Sequence, residues 1–198
     1  MEQQQLGMDA SGQQQRQQRR RPNILVTGTP GVGKTATASV IAEESGMRHF
    51  NIADIIQQHQ CYDGRDEELE SYYLDEDKLL DIMETMMETA AEEGIGVIAD
   101  YHSAELFPER WFDLVLVLRT STSILFDRLT KRGYSEKKRS ENMECEIMQL
   151  LLDEAREAYA PEIVQECPSN TIEDIENNTA RAVAWSKQWV LDHGASEM

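Results

Sequence analysis

Long apolar runs are missing from this chain. No stretch reaches the ~20 residues that a membrane-crossing helix requires, and no segment has the make-up of a secretory signal. Neither a membrane span nor a secreted product is expected. Cysteine is also scarce. Cys61, Cys145 and Cys167 are scattered, with no C-x-x-C pair. That excludes a disulfide framework and a zinc site built on cysteine pairs, and fits a reducing compartment. Positive charge is short as well: 19 Lys and Arg stand against 37 Asp and Glu, a formal net charge of −18. A surface so acidic repels phosphate backbones, which argues against direct nucleic-acid binding. It attracts basic proteins, although acidic helix faces also serve solubility alone. No internal repeat is visible.

What is present is a complete G-x-x-x-x-G-K-[ST] string, Gly28-Thr29-Pro30-Gly31-Val32-Gly33-Lys34-Thr35. At average glycine usage a chance match in a chain of this length has odds of roughly 1%. Its setting fits the chemistry. Ile24-Leu25-Val26 before it reads as a buried strand, and residues 36–44 after it form helix readily. Glycines let backbone amides close on an anion, and the following helix directs its free N–H groups and positive pole at the same point. Lys34 then reaches the β- and γ-phosphates, and the Thr35 hydroxyl ligates Mg²⁺.

Composition divides the chain at Pro22. Residues 1–21, rich in Gln and Arg with little to bury, are expected to be a disordered tail. Their Arg19-Arg20-Arg21 end resembles a short nuclear-import patch. The remainder, 22–198, suits one α/β domain. Strands are expected over 48–52, 96–100, 114–118 and 163–167, and helices over about 52–58, 75–93, 121–130, 140–159 and 171–193. Residues 61–73 read as irregular and 131–139 as a basic loop. The methionines of the 75–93 segment, with Leu79, Leu80 and Ala90, repeat at helical spacing and are read as core filling. Alternating strands and helices give a five-stranded parallel sheet with helices on both faces and right-handed crossovers, a P-loop NTPase architecture. The ligand then lies at the carboxyl ends of the strands.

Asp100 ends one of those strands and is the Walker B candidate, holding Mg²⁺ opposite Thr35; the other reading is a turn cap. His102 is suited to positioning water or sensing the γ-phosphate, or to a structural hydrogen bond. Arg128, Arg132, Lys137, Lys138 and Arg139 form a basic group around Gly133 in an otherwise acidic protein. Such a group can close over a transferring phosphoryl as a lid, or it is a solvated turn.

Together with further strings, these residues resemble the adenylate kinase isoenzyme 6 family within the nucleoside monophosphate kinases. The strings are Tyr62-Asp63-Gly64, Leu74-Asp75-Glu76-Asp77, Asp100-Tyr101-His102, Phe107-Pro108-Glu109-Arg110-Trp111-Phe112, Arg132-Gly133-Tyr134-Ser135-Glu136-Lys137-Lys138, Cys145-Glu146-Ile147 and Pro168-Ser169-Asn170. The resemblance spans residues 22–193. It implies an ATP:AMP phosphotransferase, with ATP and Mg²⁺ as cofactors and AMP and ADP as substrates, that also hydrolyses ATP. It implies that Gly31, Gly33, Lys34, Thr35 and Ala36 hold the ATP phosphates, that Arg132 contacts ATP from a lid at about 131–141, and that Asp100 and His102 form the Walker B-like motif. The AMP-binding segment falls at about 51–74, with Asp54, Arg65 and Arg128 as the acceptor-binding candidates. The family is nuclear and cytoplasmic. It acts in small ribosomal subunit (18S rRNA) maturation on the pre-ribosomal particle, with a basic ribosomal protein of the platform as partner.

This chain departs from the family pattern at Ala53-Asp54-Ile55-Ile56-Gln57, where relatives carry Gly before the aspartate and Arg three residues after it. Neutral Gln57 stands where an arginine clamps the AMP phosphate. Three functions follow, of which the first two are ATP + AMP ⇌ 2 ADP and an ATP-hydrolysing assembly factor for a basic protein with little AMP kinase activity. A kinase for another small metabolite, such as a sugar or shikimate, is the third.

Overall fold

The computed structural model describes residues 19–66 and 71–194, with the side chains of 65, 66, 71, 72 and 194 outside that description. The expected tail up to residue 18 and the side chain of Arg65 therefore lie outside the described residues.

In chain order the elements are β1 (Ile24–Thr27), α1 (Lys34–Ser45), β2 (Arg48–Asn51), α2 (Ile52–His59), β3 (Tyr62–Asp66), β4 (Ser71–Leu74), α3 (Glu76–Glu92) and β5 (Val97–Asp100). There follow a 3-10 turn (Glu109–Trp111), β6 (Leu114–Arg119), α4 (Thr122–Lys131), α5 (Glu136–Ile147), α6 (Leu150–Ala158), a second 3-10 turn (Pro161–Ile163), β7 (Val164–Pro168) and α7 (Ile172–Gly194). Five strands form one parallel sheet in the order β2–β5–β1–β6–β7. Its three central strands, β5, β1 and β6, read as apolar runs because both faces are covered. Leu25, Ala99, Val115 and Val117 face a core closed by α3, α6 and the Phe107–Phe112 segment. Ile24, Val26, Ile98, Leu116 and Leu118 face the other core, closed by α1, α4 and α7.

Local chemistry sets the helix boundaries. Gly46, at φ 73°, stops α1 by donating its N–H to the Ala42 carbonyl at 2.9 Å. Asp75 caps α3 by accepting the Lys78 N–H at 3.0 Å. Leu79, Met83, Met87 and Ala90 form the buried stripe of α3, so the methionines fill core.

Three expectations are corrected. Residues 61–73 are not irregular throughout: β3 and β4 pair antiparallel as a separate hairpin. Its polar strands lack the apolar alternation that marks a strand in sequence. The expected helix over 140–159 is two helices. Gln149 adopts φ 59°, and the Glu146 carbonyl, which would continue the helix, accepts instead from Gln149 N at 3.2 Å and Arg119 Nη2 at 2.9 Å. The basic stretch is only partly a loop, because α5 begins at Glu136 under a Ser135 cap that accepts the Lys138 N–H.

Contacts with the body begin before Pro22. Arg19 Nη2 bonds both carboxylate oxygens of Asp113, at 2.9 and 3.1 Å, and its Nη1 reaches the Arg110 and Trp111 carbonyls. Asp113 also accepts the Asn23 N–H at 2.9 Å and is 8% exposed. Part of the presumed import patch is thus built into the body. Asp113→Ala strands a buried guanidinium and an amide, and is expected to cost about 3 kcal/mol. That corresponds to a fall of roughly 6–12 °C in Tm; an unchanged thermal unfolding midpoint would contradict it.

Candidate active site

Register brings the site together. The parallel pairing sets Asp100 beside Val26 of β1 on one side and beside Asn51 of β2 on the other. The loop from β1 to α1 starts one residue beyond Val26's neighbour Thr27, so Asp100 lies against it. Asp100 is 4% exposed. Its Oδ2 accepts the Thr35 hydroxyl at 2.6 Å, and its Oδ1 is 2.7 Å from His49 Nε2. Asn51 Nδ2 donates to the same Thr35 hydroxyl at 3.3 Å.

The loop has the shape of an anion cradle. Gly28, Gly31 and Gly33 all take positive φ, at 138°, 101° and 102°. A Cβ on Gly28 would lie 2.5 Å from the Leu118 carbonyl oxygen, so no other residue fits there. Gly31 is closed off by Leu125 and Leu129 of α4. No side chain caps the first turn of α1, which leaves the amides around Lys34, Thr35 and Ala36 for an anion. Lys34 Nζ donates to the Gly28 and Thr29 carbonyls at 2.7 and 3.2 Å.

The oxygen donors fit Mg²⁺. Thr35 and Asp100 offer a hydroxyl and a carboxylate, hard ligands for a cation that takes its remaining coordination from water and phosphate. Among the described residues no group of three or more His, Cys, Asp or Glu forms a cage for a metal held by protein alone. Thr35 and Asp100 are the pair that would hold the ion.

Burial pushes the Lys34 ammonium down to about 8; the Asp100 carboxylate opposes this shift and the Arg132 charge adds to it. A polyphosphate beside Lys34 favours its charged form and raises that value again. Above about pH 8 binding must therefore take up a proton, and affinity falls as pH rises. Calorimetry of ATP binding at pH 8.5 in two buffers of different ionisation enthalpy is expected to show net proton uptake. Identical heats in both buffers would contradict this assignment.

His102 is solvent-exposed, its ring tilted by 49° to the Tyr101 ring with the centroids 4.3 Å apart. Partial desolvation and the nearby Lys34 charge lower its pKa, which favours the neutral imidazole. Arg132 closes α4 and points into solvent, near enough for its charge to lower both Lys34 and Arg128. Asp54 sits in the first turn of α2, its N–H bonded to Asn51 Oδ1 at 3.0 Å. Its side chain lines a cavity of about 450 Å³ with Thr35, His49, Asn51, Ile55 and Gln58.

Arg128 departs from the acceptor-binding expectation. Its guanidinium is occupied by the carbonyls of Ser169 at 2.8 Å, Asn170 at 2.9 Å and Val32 at 3.4 Å. Ser169 and Asn170 follow β7, at the opposite edge of the sheet from β2 and the Asp54 helix, and Val32 lies in the phosphate loop. Arg128 supports the phosphate loop and does not join the acceptor segment.

Sequence reasoning missed His49, Asn51, Thr29, Arg119 and Glu146. His49 and Asn51 belong to an edge strand whose alternation carries no sign of function. Glu146 and Ser169 stood within strings that mark the family, with no role attached.

The AAA domain family model matches residues 24–149. The chain is 50% identical to an adenylate kinase isoenzyme 6 homolog of Dictyostelium discoideum, over 86% of this chain and 95% of that one. It is 45% identical to the Caenorhabditis elegans homolog, over 88% and 94%. Among solved structures, an unliganded sugar kinase from Janibacter sp. superposes with TM-score 0.52 at 18% identity, over 83% of this chain and 94% of that one, a likeness of fold. With identity this high along nearly the full length, the chain belongs to the adenylate kinase isoenzyme 6 family.

Proposed function

We propose that this adenylate kinase-like nucleotide kinase transfers the γ-phosphoryl of ATP to AMP, giving two ADP, and hydrolyses ATP when water takes the acceptor's place. The observation that carries the reading is the Thr35–Asp100 pair, 2.6 Å apart at the mouth of a glycine cradle whose helix no side chain caps. Bound Mg²⁺ would neutralise charge on the β- and γ-phosphates. The chain's own residues do the rest. Loop amides and Lys34 hold the phosphates in line, and Arg132 meets the charge that develops on transfer. The cavity between Thr35 and α2 receives the acceptor, and His102 positions the attacking water or senses the γ-phosphate.

One observation favours the second reading, an ATP-hydrolysing assembly factor. Arg48 is the arginine among the residues lining the acceptor cavity, and it is paired with Glu93 by a 2.5 Å contact. Gln57, at the position where relatives carry an arginine, has no charge. The acidic body, with Glu84, Glu88 and Glu92 spaced along α3, suits the basic ribosomal protein expected as its partner in small-subunit maturation, in nucleus and cytoplasm.

A coupled assay of ATP consumption with each nucleoside monophosphate separates the two. The kinase reading predicts that AMP accelerates consumption and that two ADP appear per ATP. Indifference to AMP, with acceleration by a basic ribosomal protein, would replace it with the second reading.

A further inference from the structure

Glu146 is a carboxylate where none is expected, 3% exposed near the end of α5. Every polar atom of its side chain is used. Oε1 accepts Arg119 Nε at 2.7 Å and the Thr120 N–H at 3.0 Å. Oε2 accepts the Thr29 hydroxyl at 2.5 Å. Arg119 also reaches the Glu146 carbonyl through Nη2.

These contacts join three elements. Thr29 is the second residue of the phosphate loop, and its carbonyl accepts from Lys34 Nζ. Arg119 ends β6, Thr120 follows it, and Glu146 belongs to the helix that follows the Arg132 turn. From Thr120 the network continues: its hydroxyl donates to the Ser169 carbonyl at 3.1 Å, and Ser169 Oγ donates to the Val32 carbonyl at 2.6 Å. The phosphate loop is thus held at Thr29 by Glu146 and at Val32 by Ser169 and Arg128.

We propose that Glu146 is a positioning residue for phosphoryl transfer: through the Thr29 hydroxyl it fixes the phosphate loop, and with it Lys34, to the α5 arm behind the lid. The bond to Thr29 adds a direct handle on the loop that carries Lys34. Buried carboxylates are expensive unless fully bonded, and here the last bond is made by the nucleotide loop itself. α5 ends immediately afterwards at the Gln149 kink, so Glu146 sits where the arm turns back toward the sheet. The proposal rests on the nucleotide-kinase reading of the site.

The test is a cycle between Thr29→Val and Glu146→Ala, read in MgATP affinity and in kcat, well below the Tm of each variant. Glu146→Ala is expected to lower MgATP affinity and kcat about tenfold in the wild-type background. On the Thr29→Val background it should change either by less than twofold, because the bond is already gone. Thr29→Ser restores the hydroxyl and should recover most of what Thr29→Val loses. Should Glu146→Ala fail to fold, the Val and Ser variants at position 29 decide. Multiplicative losses, or a Thr29→Val enzyme with wild-type kcat and affinity, would overturn the proposal. A residue important only for folding would lower Tm without changing kcat in the folded enzyme. A wild type that binds MgATP but transfers nothing would sink the assigned activity, while the cycle in affinity still judges Glu146.

Discussion

Lys34→Ala is expected to lose at least roughly 10³-fold in nucleotide turnover without any fall in Tm at pH 7. The two halves of that result come from the same physics. Lys34 is held among loop carbonyls at 2.7 and 3.2 Å in a partly dehydrated place, and burial lowers its pKa to about 8. A lysine with a folded pKa below its unfolded value is a charge the fold tolerates at a cost. Below about pH 8 both states are protonated and the cost is present in full. Between about 8 and 10.5 the native protein gives up its proton while the unfolded chain keeps it, so this group lets stability rise with pH. Replacing it with alanine removes the cost and suits the first turn of α1. Stability is thereby traded for a cation placed where phosphate charge will be. Near-normal turnover in the variant would remove the phosphate-loop assignment. A large drop in Tm would show instead that the lysine holds the loop together.

For Arg132→Ala the expected loss is about 10³-fold in kcat with a small change in KM for ATP. Arg132 is exposed at the end of α4, and among the described residues its side chain makes no hydrogen bond or ion pair, unlike Arg128 four residues earlier, whose guanidinium is tied to three carbonyls. Its charge is nonetheless felt at Lys34. A guanidinium that is close but uncommitted can move to meet charge as it develops, which stabilises the transition state more than the bound substrate. A loss confined to KM would make it an ordinary ATP contact. Arg128→Ala should behave differently, lowering Tm through the freed carbonyls of Val32, Ser169 and Asn170.

The parts legible in the sequence were those written in local chemistry. The glycine spacing, the apolar run of β1, the stripe of α3 and the strand-ending Asp100 each announce themselves within a few residues. What was hidden depends on distant partners. His49 meets Asp100 only because β2 lies beside β5 in a given register. The α5–α6 break needs Arg119 to claim the Glu146 carbonyl, and nothing near Gln149 signals a left-handed residue. Arg19 looked like tail until Asp113, far along the chain, bound it. Arg128 and Arg132, one helical turn apart, look alike in sequence, and the loop after β7 engages just the first of them.

Direct titration of the wild-type protein with ATP, with and without Mg²⁺, bears most closely on the central claim. Saturable binding of one ATP, tighter when Mg²⁺ is present and weakened by Asp100→Asn, is the predicted result. No measurable affinity for ATP or ADP in the presence of Mg²⁺ would contradict the account at its base.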